Sequence, residues 1–205
     1  IQRHILPALG KKRLDAVNRQ DVASLHARLG ESSGPVAANR VVQQLRALFN
    51  VAVTQGCLPD GYPNPATGIK PFPEEARYRV LSNDELQRLG DALRKEDSVI
   101  IPQVFRFILL VGSRIGETLA AEWREIDLNK GTWTIPAHHA KGKRSRTLPL
   151  PAVAVALLQA LPRLAGDDRV FPVHLRIVQR AWKRICEAAG IEGVTIHDVR
   201  RSAIT

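Results

Sequence analysis

Two proline-containing interruptions, the first also rich in glycine, divide this sequence, and they limit what it can fold into more than any other feature. The first, LPDGYPNPATG, carries Pro59, Pro63 and Pro65, and the second, KPFPEEARYRV, is charged and again contains proline. Proline and glycine interrupt helices and strands, so neither segment continues the regular structure before it. We therefore predict an N-terminal domain at 1–72, a linker at 73–80 and a C-terminal domain at 81–205.

The segments before the first interruption have helical periodicity. In QDVASLHARLG, apolar residues recur three and four positions apart at Val22, Leu25 and Leu29, and Gly30 is expected to end the helix. PVAANRVVQQLRALFNVAVTQG is expected to begin at Pro35 and to stop near Gly56. The N-terminal domain is therefore predicted to be small and all-helical.

The C-terminal domain is predicted to be mostly helical with a small antiparallel sheet, which makes the whole chain mainly α. Ser82 followed by Glu85 is a capping-box pattern that begins a helix, and a further helix is expected over 102–110. Alternating residues predict strands at 132–136 and 147–150, with the basic sequence AKGKRSR at their hairpin tip. AVAVALLQAL and IVQRAWKRICEAAGI are predicted helices.

The charge indicates a polyanionic partner. Thirty Lys and Arg residues against twenty Asp and Glu give a formal net charge of +10. Between Asp127 and Asp167 there is no acidic residue, whereas an ordinary solvated face would mix both signs. Such a segment is typical of a surface that contacts phosphates. Its basic residues are Lys130, Lys141, Lys143, Arg144, Arg146 and Arg163. No apolar run approaches the roughly 18 residues of a membrane helix, so no membrane association is expected.

Cysteines and isolated histidines suggest no further site. Cys57 and Cys186 are far apart and outside any C-x-x-C pair, so both are expected to be reduced core thiols. His138 and His139 are expected to point to opposite faces of a strand, with no carboxylate or thiol at ligand spacing, so no metal site is predicted. The remaining isolated histidines are expected on the surface; they are His4, His26 and His174.

Three short segments carry residues suited to phosphate chemistry. GSRIGE places Arg114 between glycines at a predicted helix start, where a guanidinium can make a bidentate contact with an anion. The hairpin tip offers Lys141, with Lys143 close by, as a proton donor to a leaving oxygen. HDVRR places His197 and Arg200 on one helical face. Each segment alone is weak evidence.

Together, these segments resemble the active site of the tyrosine recombinases, the phage integrase family. The order is Arg114, then a lysine on a basic hairpin, then His197-x-x-Arg200. GSRIGETLAAEWREIDL is similar to the first arginine box of the family, and WTIPAHHAKGKRSRTLPL to its lysine hairpin. The front end, ILPALGKKRLDAVNRQDV with AANRVVQQLRALFNVAV and NPATGIK, is similar to the helical core-binding domain of genomic-island and prophage integrases. A type IB topoisomerase has the same chemistry, but this front domain argues against it.

The resemblance implies a role for each matching residue. Arg114 and Arg200 would bind the non-bridging oxygens of the scissile phosphate, Lys141 would protonate the departing 5′-hydroxyl, and His197 would assist proton transfer. Lys143 remains a rival of Lys141. Glu117 would support the site structurally, Trp123 would lie in the core, and no cofactor or metal is expected. The residues expected to contact DNA are Lys143, Arg144, Arg146 and Arg201.

The resemblance also implies partners and a longer protein. We expect double-stranded attachment-site DNA as substrate, a monomer when free, a homotetramer on synapsed DNA, accessory DNA-bending proteins and a bacterial cytoplasmic location. The family cleaves DNA through a 3′-phosphotyrosyl intermediate, but neither Tyr62 nor Tyr78 matches the position of the nucleophile. We therefore expect the native protein to continue past Thr205 to a second His or Trp and that tyrosine. The alternative is a non-catalytic DNA-binding fragment or decoy.

Overall fold

The chain folds as two compact units, Ile1–Arg77 and Tyr78–Thr205. The structure is a computed structural model and describes residues 1–75, 78–140 and 142–204. The division between the units falls inside the predicted linker at 73–80. No helix in the described ranges is long and apolar enough to cross a membrane.

The first unit is all-helical. Its helices are α1 (Ile5–Leu9), α2 (Arg19–Ser33) and α3 (Pro35–Thr54), with a 3-10 turn at Leu14–Ala16. Asn18 begins α2 with a capping box, in which its side chain accepts from the backbone of Asp21 and the Asp21 carboxylate accepts from the backbone N–H of Asn18. The core of this unit forms along the facing sides of α2 and α3, and it includes Val22, Leu25, Leu45 and Phe49.

Gly30 does not end α2, contrary to the prediction. The helix runs on to Ser33, and Gly34 ends it with a backbone φ of +85°. A Cβ on Gly30 would lie only 2.6 Å from the ring of Phe72. Glycine is therefore needed at position 30 because the Phe72 ring packs against the helix there. The helix ends instead at Gly34, whose positive φ suits a glycine.

His26 is buried and not on the surface as predicted. Its Nε2 lies 2.9 Å from Asn39 Oδ1, and its ring stacks on Phe72 with the centroids 4.3 Å apart. Asn39 also accepts a hydrogen bond from the Phe72 backbone N–H at 2.9 Å. Cys57 is exposed, so only Cys186 is the core thiol that was expected.

The second unit is mostly helical with a small antiparallel sheet, as predicted, but the sheet has three strands where two were predicted. Helices α4 (Asn83–Arg94), α5 (Ile100–Val111) and α6 (Ile115–Ala120) come before the sheet in sequence, and α7 (Ala152–Gln159) follows it. The strands are β1 (Ile126–Asp127), β2 (Thr132–Ile135) and β3 (Arg146–Pro149), in that spatial order. The chain continues with α8 (Leu175–Ala189) and α9 (Ile196–Ile204).

A single apolar core holds these elements together. Phe107 contacts both Trp133 of β2 and Phe171, with ring centroids 5.5 and 5.3 Å apart, and Phe105 contacts Trp182 of α8 at 4.9 Å. The predicted capping box is present, since Ser82 accepts from the backbone of Glu85 and the Glu85 carboxylate accepts from the backbone of Ser82. Helix α5 thus presents aromatic side chains to the sheet and to α8, and its C-terminal end leads into the GSRIGE segment.

Candidate active site

A cleft in the second unit brings together residues from the predicted segments. Its volume is about 460 Å³. It contains Arg114 and Glu117 from the start of α6, and His197 and Arg200 from α9. The rest of the lining is Ile115, Gly116, His138, His139, Ala140 and Ile196. Three segments that are far apart in the sequence therefore form one site.

The turn after α5 joins the two arginine-bearing segments directly. Gly112 adopts the left-handed conformation, with a φ of +67°, and its backbone N–H donates to the carbonyl of Ile108 at 2.8 Å. Its own carbonyl then accepts from Nε of Arg200 at 2.7 Å. This bond fixes the Arg200 side chain. Its two terminal nitrogens have no hydrogen-bond partner among the described residues, so they can contact a ligand.

Glu117 connects Arg114 to the β-hairpin. Its side chain is only 2% exposed, and it accepts from the Arg114 backbone N–H at 3.1 Å and from Arg114 Nη1 at 3.0 Å. It also accepts from Nη2 of Arg146, the first residue of β3, at 2.8 Å. Burial acts to raise the pKa of Glu117, but the hydrogen bonds from Arg114 and the charges of Arg146 and Arg114 outweigh it, and the pKa is lowered. Glu117 is therefore an ionised group at the base of the cleft.

Ser113, the residue before Arg114, has a buried hydroxyl that is satisfied locally. Ser113 is fully buried, and its hydroxyl lies 2.8 Å from that of Thr118. Thr118 in turn donates to the Arg114 carbonyl at 3.1 Å. Two buried hydroxyls thus satisfy each other and the backbone next to Arg114.

The cleft is electropositive. Burial lowers the pKa of the Arg200 guanidinium, and the positive charges of Arg114 and Arg146 lower it further, while the Glu117 carboxylate acts in the opposite direction. Arginine stays charged in proteins, so the lowered pKa reports the cost of burying this charge and, after that, its repulsion by the neighbouring arginines, rather than deprotonation. An anion placed between Arg114 and Arg200 would relieve that repulsion. The arrangement therefore suits a phosphate group.

The basic residues of the β2–β3 hairpin differ in their exposure and in their partners. Lys141, the predicted general acid, lies outside the described residues. Lys143 is exposed, with a φ of +51°, and its backbone N–H donates to the carbonyl of Ala140 at 3.0 Å; Arg144 is also exposed. Arg146, predicted to contact DNA, has a structural partner in Glu117. The choice between Lys141 and Lys143 stays a prediction.

Two other predicted residues, Arg201 and Trp123, do not line the cleft. The Arg201 side chain is 38% exposed and lies 3.7 Å from the buried carboxylate of Asp198. Asp198 also accepts from the backbone and hydroxyl of Thr195, at 2.8 and 2.7 Å, at the start of α9. Trp123 is buried, as expected, and the Arg163 guanidinium lies 4.5 Å from its ring centroid.

His138 and His139 are the cleft residues whose position the sequence did not indicate. They follow β2 in a turn, where the backbone N–H groups of His139 and Ala140 both donate to the Pro136 carbonyl at 3.1 Å. Adjacent residues were expected to point to opposite faces because they were placed in a strand. His138 and His139 lie in a turn after β2 instead, so that expectation does not apply to them. Glu125 lies just before β1, and the antiparallel pairing of β1 with β2 brings it close to these two histidines.

Neither tyrosine lines the cleft. Tyr62 lies in the first unit, where its hydroxyl donates to the Asp15 carbonyl at 3.1 Å. Tyr78 is 81% exposed at the start of the second unit. The cleft, as far as it is described, therefore contains cationic groups and histidines and no tyrosine hydroxyl.

The family is shown by comparison with known proteins. The sequence profile of the phage integrase family matches residues 79–205, and the chain belongs to this family, the tyrosine recombinases. The shufflon-specific DNA recombinase of Escherichia coli is 31% identical over 205 residues, covering 95% of this chain and 51% of the relative. Prophage integrase IntA of Escherichia coli K12 is 27% identical, covering 100% and 51%. The chain thus spans about half the length of the curated relatives it matches.

Solved structures show the same fold. A lambda integrase tetramer bound to a Holliday junction superposes with a TM-score of 0.78 at 17% identity, covering 98% of this chain and 62% of that one. The Tn1549 transposon integrase in complex with a circular intermediate DNA gives 0.70 at 13% identity, covering 97% and 77%. At these identities the likeness concerns the fold: helices with a small antiparallel sheet, as in the lambda integrase catalytic domain.

Proposed function

We propose that the cleft of the second unit binds the scissile phosphate of duplex DNA. The observation that carries this proposal is the meeting of Arg114, His197 and Arg200 in one electropositive cleft. Two guanidinium groups can hold both non-bridging oxygens and stabilise the negative charge that grows on them as phosphorus becomes five-coordinate. His197, exposed at the edge of the cleft, is suited to a hydrogen bond with the same phosphate.

In the whole protein, we propose site-specific strand cleavage and rejoining. A tyrosine oxygen attacks phosphorus, forming a 3′-phosphotyrosyl bond, while the bond from phosphorus to the 5′-oxygen breaks. Lys141, or Lys143 as its rival, gives its proton to the departing 5′-oxygen. Attack by a 5′-hydroxyl of the partner strand on the phosphotyrosine then restores the phosphodiester and releases the tyrosine. The charges of Arg114 and Arg200 stabilise both steps.

The partners follow from the relatives. Matches to a DNA recombinase and a prophage integrase support DNA as the substrate. That this is double-stranded attachment-site DNA, contacted by both units, belongs to the proposal and stems from the family resemblance. The lambda integrase tetramer on a Holliday junction supports a homotetramer on synapsed DNA for the whole protein. Accessory DNA-bending proteins belong to the same proposal and stem from the family resemblance.

A second candidate function is DNA binding without cleavage. The observation that favours it is the position of the two tyrosines, since neither Tyr62 nor Tyr78 lines the cleft. The 205-residue chain would then bind attachment-site DNA through its cationic surface and form no covalent bond.

A covalent-capture experiment separates these functions. The whole protein and the 205-residue chain are each incubated with a nicked suicide substrate and resolved on a denaturing gel. We expect a covalent protein–DNA band from the whole protein, mapped by mass spectrometry to a tyrosine other than Tyr62 and Tyr78, and none from the 205-residue chain. DNA binding by the whole protein without any adduct would support the second candidate. An adduct on Tyr62 or Tyr78 would contradict the assignment of the nucleophile.

A further inference from the structure

Glu125, His138 and His139 form a compact group of possible metal ligands beside the cleft. One ligand atom from each residue lies within 4.8 Å of the other two. Glu125 comes from the short turn before β1, and the two histidines come from the turn after β2. We propose that these three residues bind one Zn²⁺-type divalent ion. This inference rests on the cluster alone and does not depend on the proposed recombinase activity.

The contact between Glu125 and His139 brings two possible ligand atoms close together. His139 Nδ1 lies 2.9 Å from Glu125 Oε1, and the two side chains are 18% and 8% exposed. Despite this short distance, the buried Nδ1 of His139 has no hydrogen-bond partner among the described residues. Two ligands of one ion point at the ion rather than at each other, so they come close without a hydrogen bond between them.

The other oxygen of Glu125 is already oriented. Oε2 accepts from Trp133 Nε1 at 3.2 Å and from the backbone N–H of Glu122 at 3.3 Å. Hydrogen bonds of this kind to a ligating carboxylate fix its direction and commonly accompany metal sites. They also anchor the cluster to β2, where Trp133 is fully buried.

His138 completes the set from the exposed side. It is solvent-exposed, and its ring centroid lies 4.2 Å from that of His139. Ligand atoms around a zinc ion lie about 2.0–2.2 Å from the metal and therefore about 3.3 Å from one another. The three ligand atoms, which lie within 4.8 Å of one another, would therefore have to come closer together when an ion binds.

The ligand set selects the class of ion. Two imidazoles and one carboxylate suit zinc and its neighbours in the transition series, whereas magnesium prefers oxygen ligands throughout. Three protein ligands leave a fourth position for water or a phosphate oxygen. Because both histidines line the cleft, the ion would add positive charge at its margin and fix the turn that directly precedes Lys141.

The test is metal binding by the tag-free 205-residue chain, measured by calorimetry with Zn²⁺ and by visible absorption with Co²⁺. We expect one equivalent of Zn²⁺ per chain and Co²⁺ bands typical of four- or five-coordinate nitrogen and oxygen ligation. His138→Ala, an exposed substitution that should not affect folding, is expected to weaken binding at least about tenfold, as is Glu125→Gln. Cys57→Ser and His174→Ala are the controls, and each should bind like the parent.

Four results would overturn the proposal. The first is no detectable binding of either ion in excess. The second is unchanged affinity in both His138→Ala and Glu125→Gln. The third is equal affinity for Mg²⁺, which would indicate nonspecific cation binding. Loss of binding in Cys57→Ser would also contradict it, because the thiol would then be a ligand. None of these readouts requires DNA cleavage, so failure here leaves the proposed function standing.

Discussion

At the scale of single residues, Glu117 determines how the candidate site is built. A carboxylate that is nearly inaccessible to solvent has Arg114 on one side and Arg146 on the other. The sequence indicated only that Glu117 would have a structural role. It could not identify Arg146 as a partner, because that contact depends on where β3 lies relative to α6.

Removing the charge of Glu117 should destabilise the fold. Glu117→Gln leaves two arginine charges without their buried partner, and we expect the free energy of unfolding to fall by roughly 2–3 kcal/mol. This is near the lower end of the cost of breaking a buried ion pair, because both arginines remain partly solvated. Urea denaturation measures this. The matched control is Glu187→Gln, which removes an exposed partner of Lys183 and should cost no more than about 0.5 kcal/mol. Equal losses in the two variants would contradict the role given to Glu117.

Residue environments were the least predictable property of the chain. His26 looked like an isolated surface histidine, yet Asn39 and Phe72 bury it, and neither contact has a local sequence signal. Likewise, two short strands and the turn between them separate Glu125 from His138 in the sequence. Only the antiparallel pairing of β1 with β2 brings them together. Contacts that depend on tertiary packing are not encoded in short windows of sequence.

At the scale of elements, local signals were reliable where the chemistry is local. Ser82 and Glu85 predicted the start of α4, and both halves of the capping box are present. The strands predicted at 132–136 and 147–150 occur at Thr132–Ile135 and Arg146–Pro149. Strand β1 has two residues, too few for any alternation pattern to show. Gly30 misled the prediction because a packing glycine and a stop glycine look the same in a sequence.

The start of α4 should make stability depend on pH. Hydrogen bonding from Arg79, aided by the backbone of Ser82, lowers the pKa of Glu85 to about 2 from its usual 4.5. A carboxylate with a depressed folded-state pKa stabilises the fold above pH 4.5, and that contribution is lost as the pH falls towards 2. The difference in unfolding free energy between the parent and Glu85→Gln should therefore be largest above pH 4.5 and shrink below it.

Urea denaturation across that pH range checks the Glu85 prediction. Asp84→Asn is the matched control, since Asp84 lies in the same first turn with its side chain 78% exposed. We expect a smaller difference from the parent for this control. A difference for Glu85→Gln that stays constant from neutral pH to pH 2 would show that the carboxylate charge makes no contribution.

At the scale of the whole molecule, charge should govern DNA affinity. A net charge of +10, and a long stretch without acidic residues, predict that several phosphates are neutralised on binding. The affinity for duplex DNA should then fall by roughly a thousandfold or more between about 50 and 200 mM salt. Fluorescence anisotropy over a salt series measures the slope, and a nearly flat dependence would contradict the prediction.

The hairpin tip should account for part of that slope. Replacing the exposed Lys143 and Arg144 with alanine is expected to reduce the log–log slope by about 2, one for each lost phosphate contact. The control replaces two exposed cationic residues of α8, Arg180 and Lys183, which lie outside the cleft. If the two double substitutions reduce the slope equally, the hairpin tip contacts DNA no more than α8 does, which would contradict the prediction.

The central claim is that Arg114 and Arg200 together hold the scissile phosphate, and it is tested most directly by separating binding from cleavage. In the whole protein, Arg114→Ala and Arg200→Ala are compared with Arg176→Ala, an exposed arginine at the start of α8. We expect either cleft variant to bind the attachment site within a few-fold of the parent. We also expect it to cleave a suicide substrate roughly a hundred- to a thousandfold more slowly, because the guanidinium groups act mainly on charge that develops during the reaction. Cleavage at the parental rate by Arg200→Ala would contradict the account.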